Sequence, residues 1–177
     1  MKLIYINIFF CINFISLNIY SQTIAVVNIQ SLIDNNSIYQ NILKDIEFDQ
    51  QEYLKKFDLK ENELKLKLTE IEESKLILSE NEISLQIENY NKELTEFTIL
   101  IEKFNFHYQN EIMKIREFIL DEIIKLLEKY AIENKIDLML DSTSYLIVSN
   151  SLDITEKINS KLNELNLNLE YKNFEKN

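Results

Sequence analysis

The sequence predicts an α+β protein, mainly α-helical, in which a long antiparallel helical hairpin projects as an arm from a small body that contains β-strands. Apolar residues recur every three or four positions from Ile83 to Tyr130, which is the spacing of one helix face. The chain has no glycine and no proline, the residues that most often interrupt a long helix. Short apolar and β-branched segments lie on both sides of the helical region, which favours strands there.

Residues 1–21 are typical of an export signal. Lys2 precedes a mostly apolar stretch, Leu3–Leu17, and a polar segment then ends at Ser21. Cleavage after Ser21 would leave Gln22 as the first residue of the exported chain. The apolar stretch is shorter than the roughly 20 residues of a membrane span, so a cleaved signal is favoured over the alternative, an uncleaved N-terminal anchor.

Residues 22–36 are predicted to supply a body strand and a linker. The segment Thr23–Gln30 (TIAVVNIQ) is short, apolar and β-branched, which favours a strand. Polar residues in 31–37 end this pattern, and Ser37 is a suitable N-cap for a following helix.

Residues 37–134 are predicted to form the arm. Its first helix, about 37–78, has an apolar face with polar interruptions, and its second, about 80–134, has the longer and more regular face. Ser79 and Glu82 have the S-x-x-E spacing of a capping box, which places the tip near residues 79–82. The alternative is one unbroken helix of about 100 residues, but ordinary helix lengths favour the break.

Residues 135–166 are predicted to return to the body as two strands and a helix. Ile136–Leu140 and Tyr145–Val148 are the strand candidates, joined by a polar turn. Asp153 is a suitable cap for the final helix, and residues 167–177 form a polar tail that is expected to fray. The buried face of the final helix is predicted to consist of Ile154, Ile158, Leu162 and Leu165.

The second arm helix carries another apolar line, roughly opposite the first at about 100° per residue. Such a line would be exposed in an isolated hairpin, which soluble monomers usually avoid. The body is also too small to anchor the chain alone, so we expect the chain to form oligomers. Two interpretations of the line remain open: packing between subunits near the body, or contact with a bound unfolded protein. Its residues are Ile99, Phe106, Met113, Leu120, Ile124 and Leu127.

Composition and charge exclude several classes of function. A net charge of −11 disfavours nucleic acid as a partner, because phosphate backbones would be repelled. The lack of glycine excludes the P-loop, the dinucleotide-binding turn and the nucleophile elbow. His107 is the only histidine and Cys11 the only cysteine, so we expect no metal site. The sequence predicts no cofactor and no enzymatic activity.

The order of these segments resembles the Skp/OmpH family of periplasmic chaperones. The residues that carry the resemblance are IAVVNIQSLI (24–33), IDLMLDS (136–142), YLIVSN (145–150) and DITEKINSKLNEL (153–165). The resemblance implies a homotrimer shaped like a jellyfish, whose arms enclose a cavity. It also implies a holdase that needs no ATP and keeps unfolded outer-membrane proteins from aggregating on their way to the outer-membrane assembly machinery.

One feature departs from the family pattern. Well-known members are basic, whereas this chain is acidic and has a single arginine, Arg116. A basic lipid-binding patch is therefore not predicted, and the acidity would alter client preference or simply favour solubility. The alternative function is a structural coiled-coil spacer of the cell envelope without chaperone activity.

Overall fold

The computed structural model describes residues 22–174, so the predicted signal peptide with Ser21, and residues 175–177, lie outside the described part. No helix between residues 22 and 174 is long and apolar enough to cross a membrane. The elements in chain order are strand β1 (Ile24–Val27), helices α1 (Ile29–Asp34), α2 (Ser37–Ser74) and α3 (Glu80–Asn134), strand β2 (Leu138–Asp141), a 3₁₀ turn (Ser142–Ser144) and helix α4 (Thr155–Glu164).

Helices α2 and α3 form the arm, with 38 and 55 residues respectively. At 1.5 Å per residue they are roughly 57 and 80 Å long. Tyr53 meets Phe104 at a ring-centroid distance of 5.5 Å, and further along α2 Lys67 pairs with Glu93. The partner on α3 thus has a lower residue number when the residue on α2 has a higher one. The two helices are therefore antiparallel, and the predicted hairpin is confirmed.

The tip of the arm is fixed by the cap of α3. The Glu82 carboxylate accepts the Ser79 N–H at 2.9 Å, as the S-x-x-E spacing predicts, and it also accepts the Ser79 hydroxyl at 2.6 Å. Ser79 itself is extended, with φ −71° and ψ 157°, so the preceding helix must end before it. Helix α2 ends at Ser74, about four residues earlier than predicted, and 75–78 make the turn.

The body is built on a two-stranded parallel sheet in which Ile24 is opposite Leu138 and Val27 is opposite Asp141. On its other edge β1 is bonded by an irregular segment: Val26 donates its N–H to the Leu152 carbonyl and accepts from the Ile154 N–H, both at 2.9 Å. The arm is therefore inserted between two strands that lie side by side.

The first strand is shorter than predicted, and the linker after it is helical. Strand β1 ends at Val27 because the Asn28 side chain accepts the Ser31 N–H (2.9 Å) and caps α1. The Asp141 carboxylate accepts the Ile29 N–H at 3.1 Å, which ties this cap to the end of β2. The expected linker after residue 30 thus belongs largely to the short helix α1.

The prediction of a strand at Tyr145–Val148 is wrong for the single chain. The described segment is irregular, Leu146 is fully exposed, and Ile147 is 93% exposed. An apolar strand pattern forms a strand only where a neighbour supplies backbone partners, and no other strand pairs with this segment within residues 22–174.

Helix α4 buries three of the four predicted residues, whereas Leu165 lies just after the helix and is half-buried, and the tail that follows is not frayed. Ile154, Ile158 and Leu162 are buried, and the Asp153 carboxylate accepts the Thr155 N–H at 2.8 Å. The described part of the tail, 167–174, packs on the arm and ends in the buried Phe174. The prediction of a frayed tail is wrong because it rests on the polar composition of the tail. The apolar residues of the tail lie on one side and pack against the core.

Candidate functional site on the arm

The main apolar face of α3 packs against α2 and the body along its body-proximal half. The buried residues there continue at spacings of four: Ile115, Ile119, Ile123 and Leu127. Nearer the tip the face is more open, and Ile87 and Leu94 are each 39% exposed. The predicted face is therefore correct in position, but it is densely covered only near the body.

The second apolar line is exposed over most of its length. Phe106 is 66% exposed and Met113 is 55% exposed, and Ile99 and Ile124 also lie on the surface. Leu120 is half-buried against the core. These side chains are available for contact with another molecule.

Leu127 does not belong to this exposed line. It is 6% exposed and lies in the core, whereas the neighbouring Leu126 is only half-buried. Leu127 follows Ile123 by four residues and therefore lies on the same helix face as Ile123. The expectation that Leu127 is exposed is wrong.

An aromatic cluster lies beside the exposed line, where the tail meets the arm. Phe104 is at its centre, with ring centroids 5.0 Å from Phe57 and 5.1 Å from Tyr108, both nearly edge to face. Phe174 of the tail inserts into the cluster, 5.4 Å from Phe104 and 5.4 Å from Tyr53. Edge-to-face pairs of this kind add specific geometry to apolar burial.

Arm side chains also hydrogen-bond the backbone of the tail. The Lys172 N–H donates to the Glu111 carboxylate at 3.0 Å, and the Lys172 carbonyl accepts from His107 Nε2 at 2.6 Å. Two residues on, the Phe174 N–H donates to the Tyr108 hydroxyl at 3.3 Å. The Tyr53 hydroxyl donates to the Phe174 carbonyl.

Together these arm residues form what we call the tail-docking site. It consists of Tyr53, Phe57, Phe104, His107, Tyr108 and Glu111.

Glu111 is the buried charge of the tail-docking site, at 6% exposure. Burial alone would raise the pKa of its carboxyl, but the hydrogen bonds from Lys114 Nζ (2.6 Å) and the Lys172 N–H outweigh burial and hold the pKa below its ordinary value. Tyr171 donates its hydroxyl to Asp49 at 2.7 Å, and burial together with that carboxylate raises the Tyr171 pKa. Glu111 is thus ionised and bonded at neutral pH.

An open groove continues from the tail-docking site along the arm. Ile99 and Phe106 of the exposed line form part of its apolar wall, and Lys56, Lys60 and Lys103 form part of its polar wall. The groove therefore joins the exposed apolar line to the docked tail in one surface.

The tail-docking site could not be found from apolar periodicity alone. In the sequence, His107 and Glu111 have the positions of ordinary surface residues beside the apolar face. The polar composition of the tail predicts fraying instead of docking. The available signal was the alternation of Leu167, Leu169 and Tyr171 with polar residues, the pattern of an extended segment with one apolar side.

The site offers no evident metal or catalytic chemistry. Between residues 22 and 174 no group of three or more candidate ligands lies close enough to hold a metal ion. His107 is engaged by the Lys172 carbonyl, and Glu111 is engaged by Lys114 and the tail backbone. In the structure, this surface binds the chain's own tail.

Comparison with known proteins supports the same family as the sequence motifs. A family model of outer membrane proteins (OmpH-like) matches residues 23–162. No curated protein matches the sequence. The fold is similar to the crystal structure of a protein described as an OmpH-like outer membrane chaperone from Caulobacter crescentus CB15, with a TM-score of 0.70 and 9% identity over 81% of this chain and 85% of that chain. Because the family model covers well over half of the sequence, the chain belongs to the OmpH-like outer membrane protein family.

Proposed function

We propose that the protein is an ATP-independent holdase of the periplasm, which binds unfolded outer-membrane proteins and prevents their aggregation before they reach the outer-membrane assembly machinery. The family and the relative described as a chaperone support this proposal. In the proposed function, the N-terminal signal directs export of the chain and is cleaved off between Ser21 and Gln22.

The observation that carries the proposal is the exposed apolar line on a projecting arm. Phe106 and Met113 are more than half exposed on a surface that a soluble protein would normally keep polar. Aromatic and methionine side chains suit binding of many sequences, because they adapt to different partners. Several weak contacts of this kind from several arms would hold a client without trapping it.

In the proposed assembly three copies surround a shared cavity. A two-stranded sheet is marginal by itself, and Leu146 and Ile147 are left exposed by the described part of the chain. We infer that neighbouring copies cover this segment in a homotrimer. Light scattering of the purified protein would test this inference, since a monomer at micromolar concentration would contradict it.

The function is tested by the aggregation of an unfolded β-barrel protein after dilution from denaturant. One trimer per client is expected to suppress light scattering, and the double substitution Phe106→Asp and Met113→Asp is expected to weaken suppression several-fold. Phe48→Asp is the control, since Phe48 is similarly exposed, at 65%, but lies on α2 outside the line. No suppression by the unmodified protein would favour the structural spacer instead.

A further inference from the structure

The tail-docking site forms its hydrogen bonds to Lys172 and Phe174 with the backbone of the tail. All four bonds to Lys172 and Phe174 go to main-chain N–H or carbonyl groups. The two residues are two positions apart, the spacing at which an extended chain turns its backbone groups to the same side. Such bonds are available to any extended peptide, whatever its side chains.

Two features distinguish the tail from other extended segments. One is the aromatic ring of Phe174, which is 8% exposed within the aromatic cluster. The other is the alternation before it: Leu167, Leu169 and Tyr171 pack on the core, whereas the residues between them are exposed. The tail therefore has the pattern of a β-strand with one apolar face.

Strands of membrane β-barrels have this same pattern. Their apolar residues alternate with polar ones, and aromatic residues lie at the ends of the apolar band. An unfolded barrel protein would thus present many segments with the chemistry of the docked tail.

We propose that the tail-docking site binds extended client segments that have alternating apolar residues and one aromatic residue, and that the chain's own tail occupies it as a competing ligand. This rests on the proposed holdase function. A tethered tail competes at an effective concentration near the millimolar range. Weakly matched segments would leave the tail in place, whereas a barrel strand held by several arms would displace it.

Displacement would also enlarge the binding surface. The groove that runs from the site contains Ile99 and Phe106, and the docked residues from Tyr171 to Phe174 line its end. A client segment in place of the tail would continue directly along the exposed apolar line.

The test uses a fluorescent peptide of residues 165–177 and measures anisotropy with the full-length protein. The peptide is expected to bind Phe174→Ala at least tenfold more tightly than the unmodified protein, because the substitution releases the internal competitor. Phe48→Ala should behave like the unmodified protein. Equal affinity for the unmodified protein and Phe174→Ala would overturn the proposal.

Two peptide controls test the selectivity. A peptide in which the residue corresponding to Phe174 is alanine should bind at least tenfold more weakly, and so should a shuffled peptide of equal composition without the alternation. Equal binding of either control would overturn the proposal. A change in the mass of the assembly on Phe174→Ala would also overturn it, because a tail from a second copy would then be the natural occupant.

A second measurement applies if Phe174→Ala does not fold. Hydrogen exchange of the Lys172 and Phe174 amides is measured in the unmodified protein with and without excess peptide. Both amides are expected to exchange faster with the peptide present. Unchanged exchange at saturating peptide would overturn the proposal.

The aggregation assay is run on the same preparations to separate the two proposals. Suppression without peptide selectivity would reject the tail-docking proposal and leave the holdase function standing. Selective peptide binding without suppression would establish the peptide site and reject the holdase function.

Discussion

The two halves of the arm are stabilised in different ways. Near the body, α2 and α3 share a continuous core with α1, α4 and the tail, centred on fully buried residues such as Ile119 and Ile123. Towards the tip, Leu64 and Ile71 are buried outside that cluster, and the Glu93 carboxylate joins the helices by ion pairs with Lys67 and Lys60.

We infer from this difference that the body-proximal half of the arm is rigid and that the tip is more mobile. Contiguous burial stabilises by removing apolar surface from water, whereas exposed ion pairs contribute little in solvent. We therefore expect the tip to open locally at a lower free energy than the body-proximal half. In the proposed holdase, an arm that is fixed at its base and loose at its tip would close around clients of different size.

The largest difference between the two halves is expected for the same substitution made in each of them. Ile119 is fully buried and Ile71 is 3% exposed, so Ile119→Ala and Ile71→Ala remove the same atoms from similar burial. We expect Ile119→Ala to lower the free energy of unfolding by about 4 kcal/mol and Ile71→Ala by about 2 kcal/mol, because the tip can collapse around the cavity. Urea unfolding followed by circular dichroism measures both, and equal losses would contradict the proposed difference.

A second prediction concerns the pH dependence of tail docking. The Glu111 pKa is lower when folded than when unfolded, so its stabilisation is complete above the ordinary carboxyl pKa and is lost as pH falls through the folded value. The titratable groups around it are Lys114 and His107 on α3, together with the hydrogen-bonded pair Tyr171 and Asp49. Hydrogen exchange of the tail amides, corrected for the intrinsic pH dependence, should show protection at pH 7 that falls below about pH 4.

The matched variant for this prediction is Glu111→Gln. It keeps the shape of the side chain but removes the charge, so tail protection should be weaker at pH 7 and should not fall further below about pH 4. A variant with the same pH dependence as the unmodified protein would show that another group is responsible.

The smallest effect is expected at the tip. Glu93→Gln removes the charge that pairs with Lys67 and Lys60, and the Lys67 hydrogen bond is the main reason that the Glu93 pKa lies below its ordinary value. Because these groups are solvated, we expect only a slight fall in the urea midpoint, which added salt should abolish. Glu102→Gln on the exposed side of α3 is the control. A shift as large as that of Ile119→Ala would overturn the view that the tip is weakly held.

Much of the arm could be predicted because it depends on local rules. Three local features predicted it: the apolar spacing of α3, the absence of glycine and proline, and the Ser79–Glu82 pair. The structure has the long helix and the cap that these features predict. The family resemblance rested on equally local motifs, and the family match confirms it. The predicted end of α2 was less accurate, because the length of a turn is not fixed by a distinctive sequence pattern.

The periodic helices, the capping box at the tip and the family follow from local sequence patterns. The cap predicted at Ser37 was wrong, because Asn36 accepts the Tyr39 N–H and caps α2. The irregular course of Tyr145–Val148, the burial of Leu127 and the docking of the tail through Phe174 are set by tertiary packing. The physical reason is the range of the interactions: helix faces and caps act over three or four residues. Strand pairing and the docking of the tail join groups that are tens of residues apart, such as Glu111 and Lys172, and no local pattern encodes which distant partner is available.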